Sequence, residues 1–346
     1  MLTRRDFVQG SIVGVTTGLL GSPVQGGGIA KQYSTLRRPG LLGDVVIETE
    51  VKDTEIFTEG PAVDARGIVY FTNVPAEKIL RWDPLRKRLS VFRTPSRKTN
   101  GLLFDPQGRL LACEGAAGRV TRTDMTTGKI TVLADSFNAF PLAAPNDLAL
   151  LKSGTLFFTS RPGNPDPNLG NPNAVYRLDL ASKQPGGRIL DRVLQWKTIH
   201  MPNGIVSSPD DKVLYLIEAH PEAGHNRRIY AYQLDKDDCW NTPRTLINFS
   251  PGRSGDGMSI DAEGNLYVAA GLHKTRKTSE TLDTRPGIHV ISPAGRLLDF
   301  VKTPVDTITN CTFGGKDLRT LYVTCGAYLL SIRTRIPGKA AYRPKA

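Results

Sequence analysis

The stretch SIDAEGNLYVAA, residues 259–270, decides the fold. Its centre, Asp261-Ala262-Glu263-Gly264, is polar and ends on glycine. Its flanks, Ser259–Ile260 and Leu266–Ala270, are built for extended chain. Two β-prone runs around a short glycine-bearing turn read as an antiparallel hairpin. Outward from it the same phrase recurs as AVDARGIVYFT (62–72), LFDPQGRLLACE (103–114), LALLKSGTLFFTS (148–160), IVSSPDDKVLYLIE (205–218) and TFGGKDLRTLYVT (312–324). Between copies runs a second hairpin-like stretch, as in KILRWDPLRKRLSVF (78–92) and GIHVISPAGRLLDFV (287–301). Units of four strands recurring every roughly 40–60 residues are propeller blades. The expectation is an all-β, six-bladed β-propeller of four-stranded antiparallel blades over residues 41–335, followed by a basic tail, 336–346.

One strand, Tyr328–Thr334, remains after the last copy, and the extended stretch Val45–Phe57 precedes the first. The early stretch can complete the last blade and close the ring, removing the sheet edges that invite aggregation. A β-sandwich of repeated hairpins is the competing architecture, and six in-register copies disfavour it.

Composition narrows the partners. Of 346 residues 39% are hydrophobic, enough for a large core, which excludes a disordered chain. The net charge of +12 suits nucleic acid or an anionic surface. The basic residues are scattered, however, and no RNP-like sequence, zinc-finger spacing or helix-turn-helix accompanies them. They read as solvated faces, with no nucleic acid as partner. No apolar run approaches the ~20 residues of a membrane span. Four cysteines exclude a disulfide framework. Cys113 and Cys239 read as structural, whereas Cys311 and Cys325 suit either a bridge or two buried free thiols.

The first residues read as an address. Thr3-Arg4-Arg5-Asp6-Phe7 precedes a short apolar stretch, Ser11–Leu20, and then glycine and proline. This layout looks like a twin-arginine export signal. The alternative is an ordinary flexible N-terminus carrying a chance arginine pair. Residues 1–40 are expected to be export signal and flexible linker, the partner the twin-arginine machinery, and the location periplasmic or secreted.

Five residues before the aligned turn positions Asp64, Asp105, Leu151, Ser208, Asp261 and Gly315 stand Glu59, Asn100, Asn146, Asn203, Asp256 and Asn310. All six are Asn, Asp or Glu. In a propeller the first strand of each blade is innermost, so these side chains ring the channel. Single matches are common turn chemistry; six at one offset point to a shared site. Two carboxylates confined there repel and are desolvated, and a divalent cation satisfies both. Hard oxygen donors without His or Cys favour Ca²⁺, with Mg²⁺ or Mn²⁺ as substitutes.

From about Ile47 to Arg333 the chain resembles the family of senescence marker protein (regucalcin), gluconolactonase and luciferin-regenerating enzyme. The carrying motifs are TEGPAVD (58–64), APNDLAL (144–150), PNGIVSSPDDKVLY (202–215), GDGMSIDAEGNLYVA (255–269) and TNCTFGGKDLRTLYVT (309–324). The resemblance implies a six-bladed propeller with one catalytic divalent metal, Zn²⁺ included among the metals its members use, and hydrolysis of sugar lactones. It implies Glu59, Asn203 and Asp256 as metal ligands, with Asn146 a further ligand or a substrate contact, and it gives Asn100 and Asn310 no ligand role. The chain departs from the family at Ala144, where animal members carry Arg, and at Ser160, where many bacterial members carry an acid.

The chemistry expected is attack of a metal-activated water on a lactone carbonyl, with Asp256 as general base and Glu59 second in line. Asp256 fits that role if it keeps one oxygen on the metal and turns the other to the ligand. The absence of G-x-S-x-G disfavours a serine hydrolase. Asn100, Asn146, His220 and His273 are expected to contact substrate, and the segment Ser160–Asn173 to form a semi-rigid lid. The same ion could serve phosphotriesters or other esters, or merely stabilise a non-catalytic sugar- or partner-binding propeller.

Overall fold

The second strand of each repeat is apolar on both faces (VYF, LLAC, LFF, VLYLI, LYVAA, LYV), and the packing shows why. The computed structural model describes residues 28–37, 40–161, 173–181, 190–195, 198–237 and 242–339. Its main chain forms six four-stranded antiparallel sheets, each in simple up-and-down order from the channel outward. Blade 1 opens with Thr58–Val63, blade 2 with Thr99–Phe104, blade 3 with Pro145–Leu150, blade 4 with Pro202–Ser207, blade 5 with Gly255–Ile260 and blade 6 with Ile308–Gly314. Six hydrophobic clusters fill the interfaces between neighbouring blades. Each sheet therefore packs on both sides, and a strand in the middle of one has no polar face.

The ring closes as the sequence suggested. Leu42–Glu50 pairs antiparallel with Tyr328–Thr334 and becomes the outermost strand of blade 6. The hairpin turns are held by the repeated Asp: in blade 1 Asp64 Oδ1 accepts the Arg66 and Ile68 N–H groups, and in blade 5 Asp261 Oδ1 accepts those of Glu263 and Asn265.

Both ends of the packed body reach beyond the boundaries expected from sequence. Residues Ile29–Gln32 form a short helix and Tyr33–Thr35 a 3₁₀ turn. Ile29 is fully buried in the cluster between blades 4 and 5, and Tyr33 Oη bonds His289 Nε2 at 2.7 Å. The flexible stretch placed at 1–40 is thus corrected: from Ile29 an apolar anchor fixes the chain to the ring. At the other end Ile336–Lys339, placed in a tail, runs across the base of the channel. Lys339 N–H bonds the Ile260 carbonyl, and Lys339 Nζ reaches Asp211 Oδ1 at 2.6 Å and Ser207 Oγ at 2.7 Å. A cavity of about 150 Å³ occupies the channel, with Asp147 and Asn310 in its wall and Lys339 among its lining residues.

Cys113, Cys311 and Cys325 are free and buried. Cys311 lies opposite Val323, and Cys325 opposite Ile308, so the two thiols are out of register for a bridge. Cys239, the arginine pair and most of the expected lid (162–172) lie outside the described residues. Among the described residues no helix is long and apolar enough to cross a membrane.

Candidate metal centre and hydrolytic site

The six head residues share one local device. In every inner strand the pairing register slips at or beside the head, between Glu59 and Ala62, Thr99 and Leu102, Pro145 and Leu148, Pro202 and Ile205, Gly255 and Met258, and Ile308 and Asn310. A bulge of this kind kinks the strand and re-aims a side chain. Here it sets each head at the mouth end of an inner strand, next to its neighbours. The heads are buried apart from Asn100, which is half-buried.

Neighbouring heads touch because the following residue is small. A methyl at Gly60 would overlap the Asn100 carbonyl oxygen, and one at Gly257 would overlap the Asn310 side chain. Asn203 Nδ2 donates directly to Asp256 Oδ1. Glu59 feels Asp256 as well: burial first, then the Asp256 charge, push its carboxyl well above the usual range, against a hydrogen bond from Gly60 N–H. Glu59, Asn203 and Asp256 are thus brought together, with Asn146 and Asn310 buried in the same ring.

Two functional side chains escaped the sequence reading. Asp147 stands where four of the other blades have Gly, and its carboxyl is buried in the channel. Its Oδ1 accepts from Leu148 N–H, and its Oδ2 meets Asn310 Nδ2 at 3.4 Å across the axis, blade 3 to blade 6. Burial pushes it up to about 7. The second is Arg253, three residues before Asp256. The residue is buried, and its guanidinium grips Asp256 Oδ2 at 2.6 Å, while Nη1 bonds the Ile308 carbonyl at 3.0 Å. The Asp256 oxygen expected to face the ligand is therefore already occupied. The signal for Asp147 was present in the words EGP, NGL, NDL, NGI and DGM: one second residue among the glycines is an acid.

The two histidines expected to contact substrate lie in different surroundings. His220 stacks on His225 at 3.7 Å between centroids, with His200 at 4.7 Å from His225, a cluster at the mouth end of blade 4. Burial and the neighbouring rings hold His220 down at about 4. His273 borders a groove with Val45, Ile47, Lys302, Thr303 and Pro304 on the outer side of blades 5 and 6, away from the heads. At the departures noted in blade 3, Ala144 N–H bonds Ser160 Oγ at 3.2 Å. The neighbouring Arg161 lies close enough to Glu59 for its charge to offset a small part of that upward shift.

A family model described as the SMP-30/Gluconolactonase/LRE-like region matches residues 57–327. The chain belongs to that family. It is 29% identical over 325 residues to a gluconolactonase of Zymomonas mobilis, covering 85% of this chain and 83% of the relative. It is 25% identical to the regucalcin of Danio rerio, over 83% of this chain and 88% of that protein. The solved structure of a gluconolactonase from Xanthomonas campestris superposes with a TM-score of 0.68 at 26% identity, covering 87% of this chain and 91% of the other.

Proposed function

We propose that the protein is a metal-dependent hydrolase that opens sugar lactones. The observation that carries the reading is the charge at the channel head of a gluconolactonase-family fold. Three buried carboxylates, Glu59, Asp147 and Asp256, face one buried guanidinium. With all three ionised the deficit is two charges, which one divalent cation fills. The donors are hard oxygens, so Ca²⁺ suits them best, with Mg²⁺, Mn²⁺ or Zn²⁺ as substitutes.

Glu59, Asn203 and Asp256 would hold that ion, which supplies polarisation of the lactone carbonyl and charge against its developing oxyanion. The remaining tasks fall to the chain. Asn203, whose Nδ2 bonds Asp256 Oδ1, would offer its Oδ1 to the ion. Asn146 and Asn100 orient substrate at the mouth. Asp256 is a ligand rather than the base, because Arg253 holds its second oxygen. Asp147, whose Oδ2 meets Asn310 Nδ2 at 3.4 Å, takes the proton from the attacking water. It returns that proton to the ring oxygen as the acyl C–O bond breaks, and the product is the open hydroxy acid. On the arginine pair Arg4-Arg5 we place the protein outside the cytoplasm, delivered folded by the twin-arginine machinery.

The test is a lactone panel followed by acid release, on protein treated with chelator and then reloaded with Ca²⁺ or Zn²⁺. Turnover should vanish with chelator, return with metal, and fall at least ~10²-fold in Asp256→Asn with an unchanged circular dichroism spectrum. Turnover indifferent to both treatments refutes the mechanism. Faster turnover of phosphotriesters would replace the substrate class, and a panel with no turnover at all leaves a binding propeller.

A further inference from the structure

We infer that Arg253 is a built-in counter-cation of the acid ring, a positioning residue that restricts Asp256 to one metal-facing oxygen and keeps the ring assembled when no metal is bound. The inference rests on the metal reading above and concerns how that site is regulated. Arg253 lies on the chain leading into the inner strand of blade 5. Its Nη2 bonds Asp256 Oδ2 at 2.6 Å, and its Nη1 bonds the Ile308 carbonyl at 3.0 Å and the Gly271 carbonyl at 3.4 Å. Ile308 opens the inner strand of blade 6, and Gly271 follows the second strand of blade 5. The guanidinium therefore joins two blades and one acid in a single planar fork, a geometry an ammonium cannot reproduce.

Burial gives the contact its consequence. The Arg253 and Asp256 side chains are 10% and 5% exposed, so water screens the pair poorly. Asp256 Oδ1 is left facing Asn203. A metal arriving at the ring finds Asp256 fixed in place with one oxygen to offer, and a positive charge behind it that weakens the ion's hold. Affinity is lowered in return for a ring that stands preformed without metal. Removing the guanidinium reverses both effects: the empty ring loses the cation bonded to Asp256, and the ion loses its rival.

The experiment compares wild type, Arg253→Met and Arg253→Lys by scanning calorimetry in EDTA and in excess CaCl₂, with Ca²⁺ affinity from titration calorimetry. In EDTA Arg253→Met should melt about 5–10 °C below wild type, and in CaCl₂ most of that loss should be recovered. Its Ca²⁺ affinity should rise about tenfold or more, with Arg253→Lys between the two. An equal drop in both buffers, or weaker Ca²⁺ binding, would show a mere staple between blades and overturn the inference. A wild-type midpoint that ignores Ca²⁺, with no binding heat, sinks the metal reading itself and this inference with it.

Discussion

Replacing Asp147 with Asn should stabilise the protein at alkaline pH while crippling it as a catalyst. The folded carboxyl titrates at about 7 against an ordinary value of 3.8, with burial as the main cause. The native state thus binds this proton more tightly than the unfolded chain does. The stability tied to the group is complete below pH 4 and drains away as pH climbs to 7. About three pKa units at 1.36 kcal/mol each amount to about 4 kcal/mol, of which about 2.5 kcal/mol falls between pH 5 and pH 8. Asn carries no charge there and escapes the loss. Urea unfolding in EDTA at both pH values reads it directly: the variant's advantage over wild type should grow by that amount from pH 5 to pH 8. Lactone turnover should meanwhile fall ~10²–10⁴-fold, and the wild-type rise of kcat/KM through pH 7 should flatten. A stability difference that does not change with pH would refute the assignment of a buried, proton-holding acid at this position.

Gly60→Ala should cost about 3 kcal/mol or more in urea unfolding, since Gly60 has φ +45° and its missing methyl would strike the Asn100 carbonyl oxygen. A loss below 1 kcal/mol would mean that the heads are not in contact. The double variant Arg4→Lys, Arg5→Lys should shift the protein from the periplasmic to the cytoplasmic fraction of the host cell. Unchanged fractionation would remove the export proposal and leave the hydrolase proposal standing.

The fold was legible because its information is local and repeated. A turn such as Asp261–Gly264 between two short strands needs nothing distant to be recognised, and six copies at one offset mark the heads. Blade 6 was legible by subtraction, since one strand lacked partners and one early stretch lacked a sheet. What escaped depends on distance. Asp147 aims across the channel because its strand bulges, and no sequence spacing reports a bulge. Arg253 looks like any loop arginine until the blade 6 carbonyl and Asp256 converge on it. His220 and His273 follow their second strands in the same way, yet one stacks on another imidazole and the other turns toward the rim. A shared offset along the chain fixes depth in the channel, not direction around it. Ile29 was missed for a related reason: one apolar residue amid glycines becomes an anchor only when the gap between two blades exists to receive it.

The sheet shared by Leu42–Glu50 and the last three strands has a consequence for biosynthesis. A chain still emerging from the ribosome can form its middle blades one after another, but its earliest strand must wait, unmatched, for Tyr328–Thr334 to be made. Contacts of such long sequence separation form late, and until they do the assembly remains an open arc with two raw flanks. Translation that stops short by even one strand should yield an aggregation-prone species instead of a slightly weakened protein. The closing sheet thus acts as a check on the ring itself, met only when its last strand has been read.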